Sequence, residues 1–429
     1  MSISSTSTRT AGDSAAPIVI VGGGLATIGA VKAIRRAGHD GDVTVISAEP
    51  HHPYERPPLS KDYLRRESDR TSVFTLVPEW YSDNGVIVRT AATVVDLDVA
   101  GRTLTVSDGS TESYSELLMA TGSSPRPLSL PGADLLGVLS LRTLESSDLL
   151  RAALIDAREA GAGRLVVIGD GWIGLEVAAS ARMLGLEVTV LGHGAQPLAK
   201  VLGARMGAFY ADVHTSRGVQ LRRQVEVAAI EGTAGRVTGV TLSTGERIPA
   251  DVVLVGVGAA PNIGLASAAG LALRDRALGG GVAVDGRLAT SAPHVYAAGD
   301  IASIPSARYG RPLRVEHWAT ALRTGPHAAR SMLGTDADFV RLPYFYSDQF
   351  DISMEYSGFV GGADDYDDLQ ISGDVDAASF VAFWTKKGVV QAGMTINTPN
   401  RIADVEKLIT TRDALAPDDL RAFVTESAA

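Results

Sequence analysis

Cysteine is absent from all 429 residues. That excludes structural disulfides, a cysteine-ligated iron–sulfur cluster within this chain, and any electron relay through a dithiol. Basic residues are in deficit: 39 Lys and Arg stand against 49 Asp and Glu, a formal net charge of −10. With no basic stripe, nucleic acid is not an expected partner. Long apolar runs are missing as well, so no membrane span is expected; the runs at Ile18 and Leu165 are short and glycine-broken. His51, His52, His214 and His327 show no metal-ligand spacing, and no metal site is expected. The aspartates of "GGADDYDDLQ" from Gly361 lack the closing glutamate of a calcium loop and read as a solvated turn. Residues 1–16 are polar, rich in Ser and Thr, and without the apolar stretch of a secretory signal. A disordered leader and a cytoplasmic location are expected.

Glycine is plentiful, at 46 residues, and two clusters of it occupy equivalent places. The apolar run from Ile18 enters Gly22-Gly23-Gly24-Leu25-Ala26-Thr27. The run from Arg164 enters Gly169-Asp170-Gly171-Trp172-Ile173-Gly174. A buried strand, a glycine turn and a helix N-terminus suit a dinucleotide pyrophosphate: no Cβ blocks the backbone, and free N–H groups lie at the positive end of the helix dipole. One such loop is a modest signal; two imply two dinucleotides and electron transfer between them. The second loop fits G-x-G-x-x-G in full. The first has Thr27 at the third position, where glycine serves helix–strand packing rather than phosphate contact. Glu49 follows the next strand, where an acid accepts hydrogen bonds from ribose hydroxyls. After the second loop that place falls on Gly192 or His193, which leaves NADH versus NADPH open. His193, Lys200 and Arg205 either meet a phosphate or lie idle in a solvent-exposed loop.

Along the chain, a strand at Ile18, a helix and a strand over 43–46 come first. "EPHHPYERPPLSKDYL" is too proline-rich for a regular element. Alternating segments around 86–88, 93–97 and 103–106 read as a small antiparallel excursion. "YSELLMATGSSPRPL" is a strand leaving toward prolines. The theme then repeats: a helix near 143–160, a strand over 165–168, a helix from Trp172 and a strand over 188–191. Further strands are expected near 225–231, 237–242 and 252–255. "VYAAGDIA" is a strand ending in Gly299-Asp300, a helix follows Glu316, and from about Ala337 strands and a terminal helix are expected. The expected fold is α/β: two doubly wound Rossmann-type dinucleotide-binding domains, the second inserted in the first, plus a C-terminal α+β domain.

Seven segments, in order along nearly the whole chain, carry a family resemblance: "PYERPPLSK" (53–61), "ATGSSPRPL" (from Ala120), "GDGWIGLEVA" (from Gly169), "VGVGAAPN" (255–262), "VYAAGDIA" (from Val295), "VEHWATALRTG" (from Val315) and "YFYSDQFD" (from Tyr344). Together they resemble the FAD-dependent NAD(P)H:ferredoxin reductases of oxygenase and cytochrome P-450 systems, the putidaredoxin-reductase type; apoptosis-inducing factors share the fold. The resemblance implies an FAD-binding domain over 17–127 and 250–330, an NAD(P)H-binding domain over 128–249, and the C-terminal domain over 331–429.

By the same resemblance FAD lies on Gly22, Gly24, Leu25, Ala26 and Glu49, with Ala120, Thr121, Gly122, Gly258 and Gly299 around it and Asp300 on its ribityl chain. Arg56 and Arg126 run along FAD. Gly169, Gly171, Trp172, Ile173, Gly174 and His193 belong to the NAD(P)H site. Lys61 is expected near the flavin N5, paired with Glu176: a cation there stabilises an electron-rich reduced flavin, and a carboxylate holds the lysine. As a first-turn residue Glu176 would also serve the helix dipole. Glu316, His317 and Trp318 match the segment beside the isoalloxazine and nicotinamide, and Tyr346 stands where the family commonly has tryptophan.

The implied activity is hydride transfer from NADH or NADPH to FAD, then single-electron delivery to a separate [2Fe–2S] ferredoxin by a cytoplasmic monomer or homodimer. An NAD(P)H oxidase or quinone reductase, and a flavoprotein whose redox state controls partner binding, are the alternatives. Arg65, Arg66 and Arg70 are a candidate docking patch for an acidic ferredoxin.

Overall fold

The computed structural model describes residues 17–161 and 163–424; the leader expected over 1–16 lies outside them. Two compact units result. One holds the chain up to Glu55 with Phe74–Ser123 and Pro261–Arg341, the other Arg56–Val73, Ser124–Ala260 and the chain from Leu342.

The first unit is built on a five-stranded sheet, ordered Val295–Ala297, Glu116–Met119, Ile18–Val21, Val43–Ile46, Val86–Arg89, with every pairing parallel. The central strand reads IVIV and is buried at every position, as a parallel strand covered on both faces must be. Val86–Arg89, expected in an antiparallel excursion, is instead the parallel edge strand, and Ile87 points out at 59% exposure. An alternating pattern fits either kind of edge, so the pattern alone misassigned it. The antiparallel excursion consists of Val94–Asp98, Thr103–Val106 and Thr111–Ser113.

The second unit repeats the design. Its parallel sheet runs Val219–Arg222, Glu187–Leu191, Arg164–Ile168, Val252–Val255, Val138–Leu139. The boundary expected at 249/250 would cut Val252–Val255 from this sheet, where it pairs with Arg164–Ile168. Residues 56–73, expected with the first unit and, as far as Leu64, as irregular chain, group with the second. They form a 3-10 turn at Pro57–Ser60, started by proline in its first positions, and a short helix Asp62–Arg65 that ends at left-handed Arg66. Helix Leu144–Glu159 starts on a capping box: Thr143 accepts from the Ser146 N–H and Ser146 Oγ accepts from the Thr143 N–H at 2.8 Å.

Five antiparallel strands, from Tyr344–Gln349 to Val389–Ile396, form the C-terminal sheet. Helices Ile402–Thr411 and Pro417–Ala422 follow, and Val381, Phe383, Val390, Val405, Ile409 and Leu420 make a shared core. The opposite side of this sheet explains why it joins the second unit rather than standing alone. The Phe380 ring meets Phe209 edge-on at 5.1 Å, and the fully buried Trp384 donates its indole N–H to the Leu202 carbonyl at 3.2 Å.

Candidate functional site

In the first unit the three fingerprint positions have different reasons to be small. Gly22 has φ +128°, and a Cβ there would fall 2.1 Å from the Ala120 carbonyl oxygen, so the fold itself requires glycine. Gly24 is extended (φ −103°, ψ −171°), a conformation open to any residue, and a Cβ on it meets no atom within 4 Å. No protein contact demands glycine there. The demand comes from outside: a Cβ would fill the space before helix Leu25–Arg36, whose N-terminus no side chain caps.

Thr27 at the third position is fully buried, and its hydroxyl donates to the Gly22 carbonyl at 2.7 Å. Close packing has moved elsewhere. A Cβ on Gly29 would meet Pro326 at 2.7 Å and one on Gly325 would meet the Ala26 carbonyl at 2.0 Å, so this helix and Trp318–Met332 touch backbone to backbone.

Of the other residues expected around FAD, Glu49, Ala120, Thr121, Gly122, Gly299, Asp300, Glu316, His317 and Trp318 belong to the same unit, whereas Arg56, Arg126 and Gly258 belong to the second. Ala120 lies over Gly22; Thr121 donates to the Asn262 carbonyl and receives the Asn262 amide on its own carbonyl, both at 2.8 Å. Gly299 (φ +72°) brings its turn to the helix start, with a would-be Cβ 3.6 Å from Ala26 Cβ. Asp300 is buried and accepts from Ser123 Oγ at 2.6 Å. Glu49 accepts from the Tyr54 hydroxyl at 2.5 Å. His317 precedes helix Trp318–Met332 at the N-cap position without a side-chain capping bond, and burial lowers its pKa to about 4 against the opposing pull of Asp300, so it is neutral at pH 7. Trp318 packs on the unit's core, and Glu316 pairs with Arg314 at 2.7 Å.

The second loop obeys the same logic in the second unit. Cβ atoms on Gly169 (φ +112°) and Gly174 would fall 2.3 Å from the Gly256 and Gly169 carbonyl oxygens, respectively. Gly171, like Gly24, is extended (φ −81°, ψ −177°) and opens on empty space before an uncapped helix, Trp172–Met183. The Trp172 ring stands edge-on to Tyr210 at 5.6 Å and Phe345 at 5.1 Å, while Ile173 and His193 are exposed. Gly258 (φ +99°) accepts the Arg126 N–H at 2.9 Å, and the Arg126 side chain is exposed. Arg205 donates toward the Leu369 carbonyl at 3.5 Å.

Lys61 and Glu176 meet, also within this unit, at 2.8 Å, with side-chain exposures of 11% and 5%. Glu176 is not in the first turn of its helix, which contains no acid. It lies one turn further in, where its value is to the lysine rather than to the dipole. Ser60 Oγ donates to its Oε2 at 2.5 Å and Ser347 Oγ to its Oε1 at 2.7 Å. Lys61 also donates to the Pro57 carbonyl at 3.3 Å and stands 5.8 Å from the Tyr346 ring centroid. The ammonium is thus held at a fixed place with its countercharge fully hydrogen-bonded.

Arg56 donates to the Arg142 carbonyl at 2.8 Å. The arginine patch is less free than its sequence suggested: Arg65 pairs with Glu67, and Arg70 pairs with Asp148 and Glu145. Ser60, Ser123, Asn262 and Ser347 were not singled out from sequence, although each falls inside a segment that carried the resemblance. Among the described residues no group of three or more His, Asp or Glu side chains is placed to hold a metal, and no helix is long and apolar enough to cross a membrane.

Comparison with known proteins agrees with this arrangement. Residues 16–325 match the model of the pyridine nucleotide-disulphide oxidoreductases, and residues 344–425 match the reductase C-terminal domain. A probable ferredoxin reductase of Castellaniella defragrans is 37% identical over 94% of this chain and 96% of its own. The crystal structure of a ferredoxin reductase from Rhodopseudomonas palustris superposes with a TM-score of 0.89 at 34% identity, covering 96% of this chain and 100% of that one. The reductase in a covalent putidaredoxin reductase–putidaredoxin complex superposes equally well, TM-score 0.89, at 31% identity over 97% of this chain and 100% of that one.

Proposed function

Because the chain belongs to the pyridine nucleotide-disulphide oxidoreductase family, in the branch of ferredoxin reductases that carry a reductase C-terminal domain, we propose that it is an NAD(P)H-dependent FAD flavoprotein that reduces a [2Fe–2S] ferredoxin serving an oxygenase or cytochrome P-450. The observation that carries this reading is the pair Gly24 and Gly171. Each is a glycine that neither backbone conformation nor protein packing requires, placed before an uncapped helix N-terminus.

Gly24, Leu25 and Ala26 hold the FAD pyrophosphate in this reading, with Glu49 on a ribose and Asp300, oriented by Ser123, on the ribityl chain. Gly171, Trp172 and Ile173 hold the nicotinamide nucleotide. Bound FAD supplies the conversion between a two-electron donor and a one-electron iron–sulfur acceptor. Lys61, fixed by Glu176, stabilises negative charge on the isoalloxazine. With no cysteine in the chain, no dithiol lies on the exit route despite the family's name. The cytoplasmic location belongs to the same proposal, since NAD(P)H is the electron source.

Anaerobic stopped-flow mixing tests the reading. The purified protein should be yellow, bleach with NADH or NADPH, and regain its colour on mixing with an oxidised [2Fe–2S] ferredoxin. A colourless protein that takes up no FAD, or a reduced flavin that no ferredoxin reoxidises, would refute it.

A further inference from the structure

The second loop lacks an acid at the end of its next strand, yet a carboxylate stands there. In the first unit the residue between the fingerprint glycines is Gly23, and the residue ending the next strand is Ser47; a Cβ on Gly23 would fall 2.2 Å from Ser47 Oγ. The equivalent pair in the second unit is Asp170 and Gly192. The registers agree, with Val21 opposite Ile46 and Ile168 opposite Leu191. Here large and small have exchanged. A Cβ on Gly192 would fall 2.2 Å from Asp170 Oδ2 and 2.8 Å from its Cγ. The Asp170 carboxylate therefore stands where the first side-chain carbon of residue 192 would lie, reached from the loop instead of from the strand.

We infer that Asp170 is the specificity-determining residue of this nucleotide site, accepting the hydroxyls of an unphosphorylated adenosine ribose and repelling a 2′-phosphate, so that NADH is the donor. Its Oδ2 is enclosed and has no hydrogen-bond partner, while the side chain as a whole is half-buried. Burial raises the Asp170 pKa, offset by its own backbone N–H, Lys200 and His193. Of the cations around the strand end, Arg222 forms a two-pronged pair with Glu246 at 2.7 and 2.5 Å and Arg223 donates to Gln196 at 2.8 Å, whereas Lys200 and His193 act on the Asp170 carboxylate itself. The inference rests on the second loop being the nicotinamide-nucleotide site.

The test titrates the FAD-loaded full chain with ADP-ribose and with 2′-phospho-ADP-ribose by calorimetry, alongside kcat/KM for NADH and NADPH. The wild type should bind ADP-ribose at least about tenfold more tightly, as a like-charge clash with the 2′-phosphate demands. Asp170→Asn, nearly isosteric, should shrink that ratio by about tenfold, chiefly through tighter binding of the phosphorylated probe. Asp170→Gly/Gly192→Glu, which moves the carboxylate to the strand end, should restore it. A wild type that prefers the phosphorylated probe, or an unchanged ratio in Asp170→Asn, overturns the role of Asp170. Failure of the wild type to bind either probe overturns the nucleotide-site reading and the inference with it.

Discussion

Alanine at Gly169, Gly171 and Gly174 separates glycines kept for the fold from one kept for a ligand. At Gly169 the methyl group must coexist with φ +112° and with the Gly256 carbonyl oxygen at 2.3 Å and carbon at 2.7 Å. Backbone strain of about 1–3 kcal/mol and overpacking of about 1–3 kcal/mol add to a loss of roughly 2–6 kcal/mol. Gly174→Ala meets the Gly169 carbonyl at 2.3 Å and Val167 Cγ1 at 3.2 Å in an otherwise helical residue. Without the φ penalty its loss is smaller, about 1–3 kcal/mol.

Gly171→Ala is different because φ is −81° and no atom lies within 4 Å. Alanine is a poorer N-cap than glycine by roughly 0.5–1 kcal/mol, but it removes about 0.4–1 kcal/mol of unfolded-state freedom, so the two nearly cancel. In thermal unfolding without nicotinamide nucleotide, Gly171→Ala should stay within about 2 °C of wild type, whereas Gly169→Ala should fall by at least about 4 °C. NADH titration of Gly171→Ala should show Kd raised by about 5- to 150-fold, the equivalent of 1–3 kcal/mol of methyl–pyrophosphate overlap, with flavin content unchanged. Equal destabilisation at positions 169 and 171, or unaltered NADH affinity in Gly171→Ala, would refute the reasoning.

The buried pair and one buried histidine give further measurements. Glu176→Gln can still bond Ser60 and Ser347, accepting from one and donating to the other, but strips Lys61 of its countercharge, which should cost about 3 kcal/mol in urea unfolding; Lys61→Met/Glu176→Gln should recover much of that, and purely additive losses would contradict the pairing. His214 is fully buried against Gln349 at 2.8 Å, and burial lowers its pKa to about 4. The unfolded chain, with a histidine pKa near 6.5, therefore binds that proton first, so the stabilisation is complete above about pH 6.5 and is lost as pH falls toward 4, about 3 kcal/mol in all. His214→Asn should flatten the pH dependence of unfolding over that window, and a slope identical to wild type would exclude the assignment.

Sequence pattern reached furthest where backbone geometry leaves only one choice of residue, and least where side chains substitute for one another. Gly22 and Gly169 were readable because positive φ and an overlying carbonyl admit nothing but glycine, and the helix at Leu144–Glu159 because its capping box is local. Helix Ala199–Ser216 escaped because it opens on left-handed Leu198 and is broken by Gly203 at φ +79°, so neither a cap residue nor an unbroken apolar period announces it. The site shows the same division. Lys61 and Glu176 are 115 positions apart and came together only through the family resemblance, while the Ser60 and Ser347 hydroxyls that complete the carboxylate carry no spacing signal. Thr27 looked like a defect in the first fingerprint, yet its hydroxyl bonds the loop's own carbonyl and the close helix crossing is supplied by Gly29 and Gly325. Asp170 and Gly192 repeat that lesson at the second loop: read singly, one is an unremarked loop residue and the other a missing acid. Only the distance between them shows that the Asp170 carboxylate fills the place of a side chain at position 192. A fingerprint therefore fixes where a ligand's backbone contacts must be, whereas the side chain that selects among ligands can be delivered from either neighbouring segment and must be located in three dimensions.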